Sequence, residues 1–214
     1  MPLLMLDLDN TLVDRDAAFR SALAEFLTDH GLPPTDVSWL TALDGDGYTP
    51  RAEVAAAMTA RYGPRVPARA IHAVLDHGAA DRVALPPLTR AALVRAREAG
   101  LTPLVVTNGR TAQQTEKLRR TGLTALVDGW AISEAVGHRK PDPGIFHAAA
   151  AGRSLHDAWM IGDAPRADIG GAQALGLRTV WVTRGRTWRE PDFAPTLTAD
   201  DVVEAIDAVL RAQP

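Results

Sequence analysis

The stretch that decides the fold lies near the start of the chain and reads Leu3-Leu4-Met5-Leu6-Asp7-Leu8-Asp9-Asn10-Thr11. Its first part is a short apolar run, which predicts a buried β-strand over residues 3–8. Because side chains alternate along a strand, Asp7 and Asp9 are expected to point to the same side. Ligands bind at the carboxyl ends of strands in an open parallel α/β sheet, so this pair suggests a site for a divalent cation. On this stretch alone, a simple polar turn over residues 7–11 remains an alternative.

Three later segments resemble the first in their layout. One apolar run ends in Thr107-Asn108-Gly109, and another ends in Gly162-Asp163 with Asp168 a little further on. Between them, Arg139-Lys140-Pro141-Asp142-Pro143 places a lysine ahead of a helix start that is marked by proline. Each segment puts polar side chains where a buried strand ends or a helix begins, which is where an α/β sheet carries its sites.

Taken in order, these four segments resemble the motif set of the haloacid dehalogenase (HAD) superfamily. The pattern DxDxT is matched by Asp7, Asp9 and Thr11, and the Thr or Ser of the second motif by Thr107. The motif lysine is matched by Lys140, and GDxxxxD by Gly162, Asp163 and Asp168. The likeness spans the chain except for the segment from Asp14 to about Pro86, where only the general layout agrees.

The resemblance implies a Mg²⁺-dependent phosphomonoesterase in which Asp7 attacks phosphorus and forms an aspartyl-phosphate. It further implies that Asp9 acts as general acid and base. The metal ligands would be the side chains of Asp7 and Asp163, with the Asp9 backbone carbonyl. Dehalogenases of the superfamily lack the second aspartate because a halide leaves without a proton, so Asp9 favours phosphoryl chemistry.

The same resemblance assigns supporting roles to four residues. Thr107 and the Asn108 amide would bind the transferring phosphoryl oxygens, and Lys140 would offset their charge. Asp168 would support the site by holding Lys140 or a metal-bound water. The composition strengthens the assignment of Lys140, because only two of the 23 basic residues are lysines and this one falls at the motif position.

The pattern of apolar residues predicts an α/β protein with a Rossmann-like, doubly wound parallel sheet. Residues 1–13 and 87–214 are expected to form the HAD-like catalytic core. Residues 14–86 read as helices throughout, which predicts an inserted small α-helical cap that selects the substrate. Within the core, the sequence predicts a helix over residues 165–175, an irregular loop near 185–195 and a terminal helix over 199–211.

The composition excludes several classes of function. A chain of 214 residues without cysteine has no disulfide, thiolate metal site or thiol nucleophile. A net charge of −3 gives no reason to expect nucleic acid or an anionic membrane surface as a partner. No apolar run approaches the ~20 residues of a membrane span. The apolar start reaches Asp7 without a basic leader, so a cytoplasmic protein is expected. The oligomeric state is not set by the sequence.

Other motifs and functions fit less well. A calcium loop starting at Asp7 would need glycine and glutamate where Leu12 and Ala18 stand, and neither lysine follows a glycine as a phosphate-binding P-loop requires. Two alternatives to the phosphatase remain open, a phosphotransferase or mutase of the same fold and a non-catalytic module that binds a phosphorylated ligand. A calcium-binding or regulatory protein is disfavoured, because the calcium-loop positions are not matched. The expected partner is a small phosphorylated metabolite such as phosphoglycolate, a sugar phosphate or a nucleotide monophosphate.

Overall fold

The computed structural model describes residues 1–213, which form two compact units. The first unit combines Met1–Val13 with the chain from Ala84 onward, and the second is Asp14–Val83. The second unit is therefore inserted into the first directly after its opening strand. Within the described range, no helix has both the length and the apolar character needed to cross a membrane.

The first unit is built on a six-stranded sheet in which every neighbouring pair of strands is parallel. The strands are β1 (Leu3–Leu6), β2 (Thr102–Thr107), β3 (Trp130–Ile132), β4 (Trp159–Gly162), β5 (Arg178–Val182) and β6 (Leu197–Ala199). Their order in the sheet is β3-β2-β1-β4-β5-β6. The predicted α/β fold with a doubly wound parallel sheet is confirmed. Because β1 lies between β2 and β4, the order reverses at β1, and ligand sites form at such a point.

The helices follow the strands in the alternation that parallel pairing requires. In chain order they are α1 (Arg15–Asp29), α2 (Asp36–Asp44), α3 (Arg51–Tyr62), α4 (Ala68–His77), α5 (Pro87–Glu98), α6 (Thr111–Thr121), α7 (Ser133–Val136), α8 (Pro143–Ala150), α9 (Gly171–Gln173) and α10 (Val202–Arg211). Helices α1 to α4 belong to the inserted unit, and α5 to α10 belong to the sheet unit.

The core of the sheet unit explains why β1 is apolar throughout. All four of its residues are buried, as expected for a central parallel strand that is covered on both faces. Leu3 and Met5 lie in a cluster with Ile145 and Phe146 of α8. The register pairs Leu6 with residues of both β2 and β4, so the three strands end at the same edge of the sheet.

The inserted unit has its own core, which is formed by apolar side chains of its four helices. Phe19, Leu23 and Leu27 of α1 are buried together with Met58 of α3 and Leu75 of α4. A core that is separate from the sheet is what a distinct domain needs in order to fold as a unit.

Two predicted helices differ from the structure. The terminal helix begins at Val202 because Asp201 accepts hydrogen bonds from the backbone of Val203 and Glu204, and β6 precedes it. This edge strand has only three residues, too few to show a periodic pattern. The predicted helix over 165–175 is a π-helical turn, Pro165–Gly170, followed by the short α9. Consecutive glycines at 170 and 171 weaken the tendency to form a regular helix there.

Candidate active site

Asp7 is the first residue after β1 and is buried at the edge where the central strands end. Its backbone N–H donates to the carbonyl oxygen of Ile161 in β4 at 2.9 Å. The parallel ladder thus continues through Asp7, and the sheet sets the position of its Cα.

Lys140 connects the segments that the motifs single out. Its buried ammonium lies 2.6 Å from Asp7 Oδ1, 2.6 Å from the carbonyl oxygen of Val106 and 2.7 Å from Asp168 Oδ1. The contacts with Asp7 and Val106 are hydrogen bonds in which the ammonium donates, and the contact with Asp168 is an ion pair. Asn108 fixes the Lys140 main chain from both sides, because its Oδ1 accepts from the Lys140 N–H at 2.8 Å and its Nδ2 donates to the carbonyl at 3.1 Å.

Asp163 follows β4 and lies beside Asp7. One carboxylate oxygen from each of Asp7, Asp163 and Asp168 lies within 4.8 Å of the others. Asp168 is fully buried, and its Oδ2 accepts a hydrogen bond from the Ala164 backbone at 2.9 Å. The glycine before Asp163 is required by this packing, because a Cβ on Gly162 would lie 2.2 Å from Asp168 Oδ2.

The positive charge near Asp7, Asp163 and Asp168 does not fully offset the negative charge of the three carboxylates. Burial, followed by the Asp168 and Asp163 carboxylates, raises the pKa of Asp7 well above its ordinary value, although Lys140 opposes the shift. Burial and Asp168 raise the pKa of Asp163 to about 7. Burial alone would lower the pKa of Lys140, but Asp168 and Asp7 outweigh that effect and raise it.

The cluster fits a hard divalent cation. Its donors are carboxylate oxygens without a histidine or cysteine among them, which suits Mg²⁺ better than zinc. Both oxygens of Asp168 already hold partners inside the protein, so Asp7 and Asp163 are the side chains that could hold the ion.

Asp9 lies in the turn that follows β1. The strand ends at Leu6, so strand alternation does not by itself set the direction of the Asp9 side chain, and the expectation that it points to the same side as Asp7 stays a prediction. The Asp9 carboxylate pairs with Lys117, at 2.7 Å from Oδ1 and 2.6 Å from Oδ2. In the same turn Asn10 has a φ of 62°, a conformation that asparagine tolerates better than most residues.

Thr107 ends β2 and is almost fully buried. Its Oγ1 accepts a hydrogen bond from Nε2 of Gln114 at 2.6 Å. The same amide group donates to Asp9 Oδ2 at 3.1 Å. Thr107 and Asp9, which the motifs list separately, are therefore connected through one side chain of α6.

Three residues of this constellation were missed from the sequence. Lys117 could have been found, because the scarcity of lysine that singled out Lys140 applies equally to it. Nothing in the sequence marks Gln114 in a comparable way. Arg186 lies in the segment predicted to be an irregular loop, yet its Nη2 donates to the Asp163 carbonyl at 2.7 Å and to Oδ2 at 3.0 Å.

Comparison with known proteins points to one family. A family model described as HAD-hydrolase-like matches residues 137–206. Phosphoserine phosphatase of Thermus thermophilus is 40% identical over 125 residues, which cover 58% of this chain and 50% of that protein. Phosphoglycolate phosphatase of Cereibacter sphaeroides is 29% identical over 201 residues, which cover 86% of each chain.

The chain spans about half the length of the first of these relatives. Among solved structures, YfnB of Bacillus subtilis, crystallised with magnesium bound, has a TM-score of 0.79 and 23% identity, covering 97% of this chain and 98% of that one. At this level of identity the likeness concerns the fold, and it extends over both units of the chain.

Proposed function

The chain belongs to the haloacid dehalogenase superfamily, and from this premise we propose that it is a Mg²⁺-dependent phosphomonoesterase that works through an aspartyl-phosphate. One observation carries the proposal. Asp7, at the end of the central strand, shares its surroundings with the ammonium of Lys140 and the carboxylate of Asp163. A nucleophile, a fixed positive charge and a metal ligand are the groups that the attack of a carboxylate on a phosphate ester needs.

In the first half of the reaction Asp7 forms a bond to phosphorus while the bond to the leaving oxygen breaks. The obstacle is repulsion between the Asp7 carboxylate and the phosphate dianion, at ~4 kcal/mol per pair of unit charges 4 Å apart at an effective dielectric of about 20. Lys140 counters this repulsion, and its bond to Oδ1 also fixes the rotation of the carboxylate. A bound Mg²⁺, held by Asp7, Asp163 and the Asp9 backbone carbonyl, would supply the remaining positive charge.

Asp9 acts first as the general acid and then as the general base. It gives a proton to the leaving alkoxide in the first half. In the second half it takes a proton from the water whose oxygen bonds to phosphorus as the bond to Asp7 breaks. Thr107 and Asn108 would bind the phosphoryl oxygens. Because Asn108 also holds the Lys140 backbone, we infer that one residue sets both the phosphate site and the lysine.

The inserted unit would select the substrate. Residues 14–86 are inserted between the first motif and the other three, and none of the motif residues lies among them, whereas polar side chains such as Tyr48 and Arg51 do. We therefore place the choice of ester in this cap. The relatives are named for phosphoserine and phosphoglycolate, which supports a small phosphorylated metabolite as the substrate class.

The test is a screen of phosphorylated metabolites with Mg²⁺, with released phosphate as the readout. At least one small phosphate ester should be hydrolysed, and Asp7→Asn should reduce turnover by several orders of magnitude. Asp207→Asn removes a half-exposed carboxylate on α10 and serves as the matched control, which should keep full activity. Binding without turnover would favour a non-catalytic module, and turnover only with a second acceptor would favour a phosphotransferase or mutase.

A further inference from the structure

The second lysine of the chain lies beside the proposed general acid. Lys117 belongs to α6 and contacts both oxygens of the Asp9 carboxylate. The lysine side chain is 6% exposed, whereas that of Asp9 is 25% exposed. The ammonium is therefore almost fully shielded from solvent, whereas the Asp9 carboxylate keeps part of its surface exposed.

Gln114 stands one turn earlier on the same face of α6. Its Nε2 reaches Asp9 Oδ2 and Thr107 Oγ1, so the helix contacts the turn after β1 and the end of β2 at once. Gln114 and Lys117 are buried. Their neighbours on α6 behave differently, because Glu116 and Arg119 pair with one another at the surface. The buried polar face of α6 is thus directed at Asp9.

We propose that Lys117, assisted by Gln114, positions the Asp9 carboxylate for proton transfer. The proposal rests on the function proposed above. A general acid and base must lie within hydrogen-bond reach of the reacting oxygen, and a half-buried aspartate in a turn would otherwise sample several rotamers. Two contacts from one ammonium fix both the rotamer of Asp9 and the tilt of its carboxylate. Asp9 gives one proton to the leaving oxygen and later takes a different proton from water, so its own protonation state is restored after each turnover. Lys117 takes part in neither transfer and stays an ammonium throughout.

A structural role makes a different prediction. Burying an ammonium is costly unless it is paired, and Asp9 could serve only as the counterion of Lys117. In that case, replacing Lys117 would affect every substrate alike, through stability or through the general shape of the site. A positioning role affects only the substrates whose leaving oxygen needs a proton.

The experiment compares two phosphate esters through kcat/KM, which reports the formation of the aspartyl-phosphate. An alkyl phosphate from the metabolite screen has a leaving group that needs a proton, and p-nitrophenyl phosphate does not. In Lys117→Met and Lys117→Gln, kcat/KM for the alkyl ester should fall by about tenfold or more, with the ~10²–10⁴ that general acid–base catalysis contributes as the upper limit. The value for p-nitrophenyl phosphate should fall by less than about threefold. Arg120→Met, on the exposed side of α6, is the control and should change neither value.

Two further measurements make the result decisive. Circular dichroism and thermal melting establish that each variant is folded, and Lys117→Gln keeps a donor of similar length if the methionine variant is unstable. In an Asp9→Asn background, Lys117→Gln should cause no further loss on the alkyl ester, because the group it positions is gone.

An equal loss on both esters, or a full additional loss in the Asp9→Asn background, overturns the positioning role while the phosphatase stands. A wild-type protein that hydrolyses neither ester overturns the proposed function and this inference with it.

Discussion

Replacing Asp163 with asparagine should stabilise the metal-free protein at pH 8, although it removes a proposed metal ligand. Burial and Asp168 raise the pKa of Asp163 to about 7. At pH 8 the carboxyl group is ionised in the folded protein, and this ionisation lowers the free energy of unfolding. Asparagine has nearly the shape of the protonated carboxyl and carries no charge. The substitution therefore removes the repulsion from Asp168 and keeps the packing.

The sign and size follow from linkage. Between the ordinary pKa of an aspartate, ~3.9, and about 7, the folded state binds more protons at Asp163 than the unfolded state does, so the free energy of unfolding falls as the pH rises. At ~1.4 kcal/mol per pKa unit, the loss reaches about 4 kcal/mol at pH 8 as an upper limit. The Arg186 contact with Oδ2 weakens in the variant, which leaves a gain of ~2 kcal/mol. For a chain of this length that raises Tm by ~4–8 °C.

The assay is thermal unfolding of the wild type and Asp163→Asn in chelator at pH 5 and pH 8. The variant should melt higher at pH 8, and the difference should nearly vanish at pH 5, where the wild-type carboxyl is protonated. Adding Mg²⁺ at pH 8 should raise Tm of the wild type but not of the variant. Asp207→Asn controls for the loss of an unrelated carboxylate. A variant that melts below the wild type at pH 8, or a difference that is the same at both pH values, would refute the reasoning.

Three other outcomes are expected. Gly162→Ala should lower the free energy of unfolding by ~3 kcal/mol in a urea titration, because the new Cβ meets Asp168 at 2.2 Å and the neighbouring backbone must shift; a loss below about 1 kcal/mol would show that the site adapts. Phosphatase activity should disappear with chelator, return with Mg²⁺ and be inhibited by Ca²⁺, whose coordination is larger and looser; full activity after exhaustive chelation would reject the metal. Substitution of Tyr48 or Arg51 in the cap should change the ranking of substrates by kcat/KM while the need for Mg²⁺ persists, and an unchanged ranking would count against the cap as the selector.

The sheet and its polar strand ends could be predicted because both depend on local patterns. A buried parallel strand is a continuous apolar run, and its end is marked by the first polar residue, as at Asp7, Thr107 and Asp163. The strand order then brings these residues to one edge. The alternation rule does not extend to Asp9, because the strand stops at Leu6 and Asp9 lies in the turn after it.

The contacts that α6 makes, and those of the loop that contains Arg186, could not be predicted from local patterns. Lys117 meets Asp9 from a distant part of the sequence, and the pattern of α6 shows only a helix with a mixed surface. Arg186 reaches Asp163 from a segment without regular structure, where no periodicity exists to give its direction. Lysine was informative because it is rare in this chain, whereas arginine is common and one more carries no signal.

The central claim is that Asp7 carries the phosphoryl group during turnover. The most direct measurement is to quench the enzyme with acid during turnover of its best substrate, reduce the trapped acyl-phosphate with borohydride and locate the reduced residue by mass spectrometry. The account predicts that residue 7 alone is converted from aspartate to homoserine, and that omission of substrate abolishes the conversion. Rapid turnover with no modification at Asp7, or with the modification at Asp9 or Asp163, would contradict it.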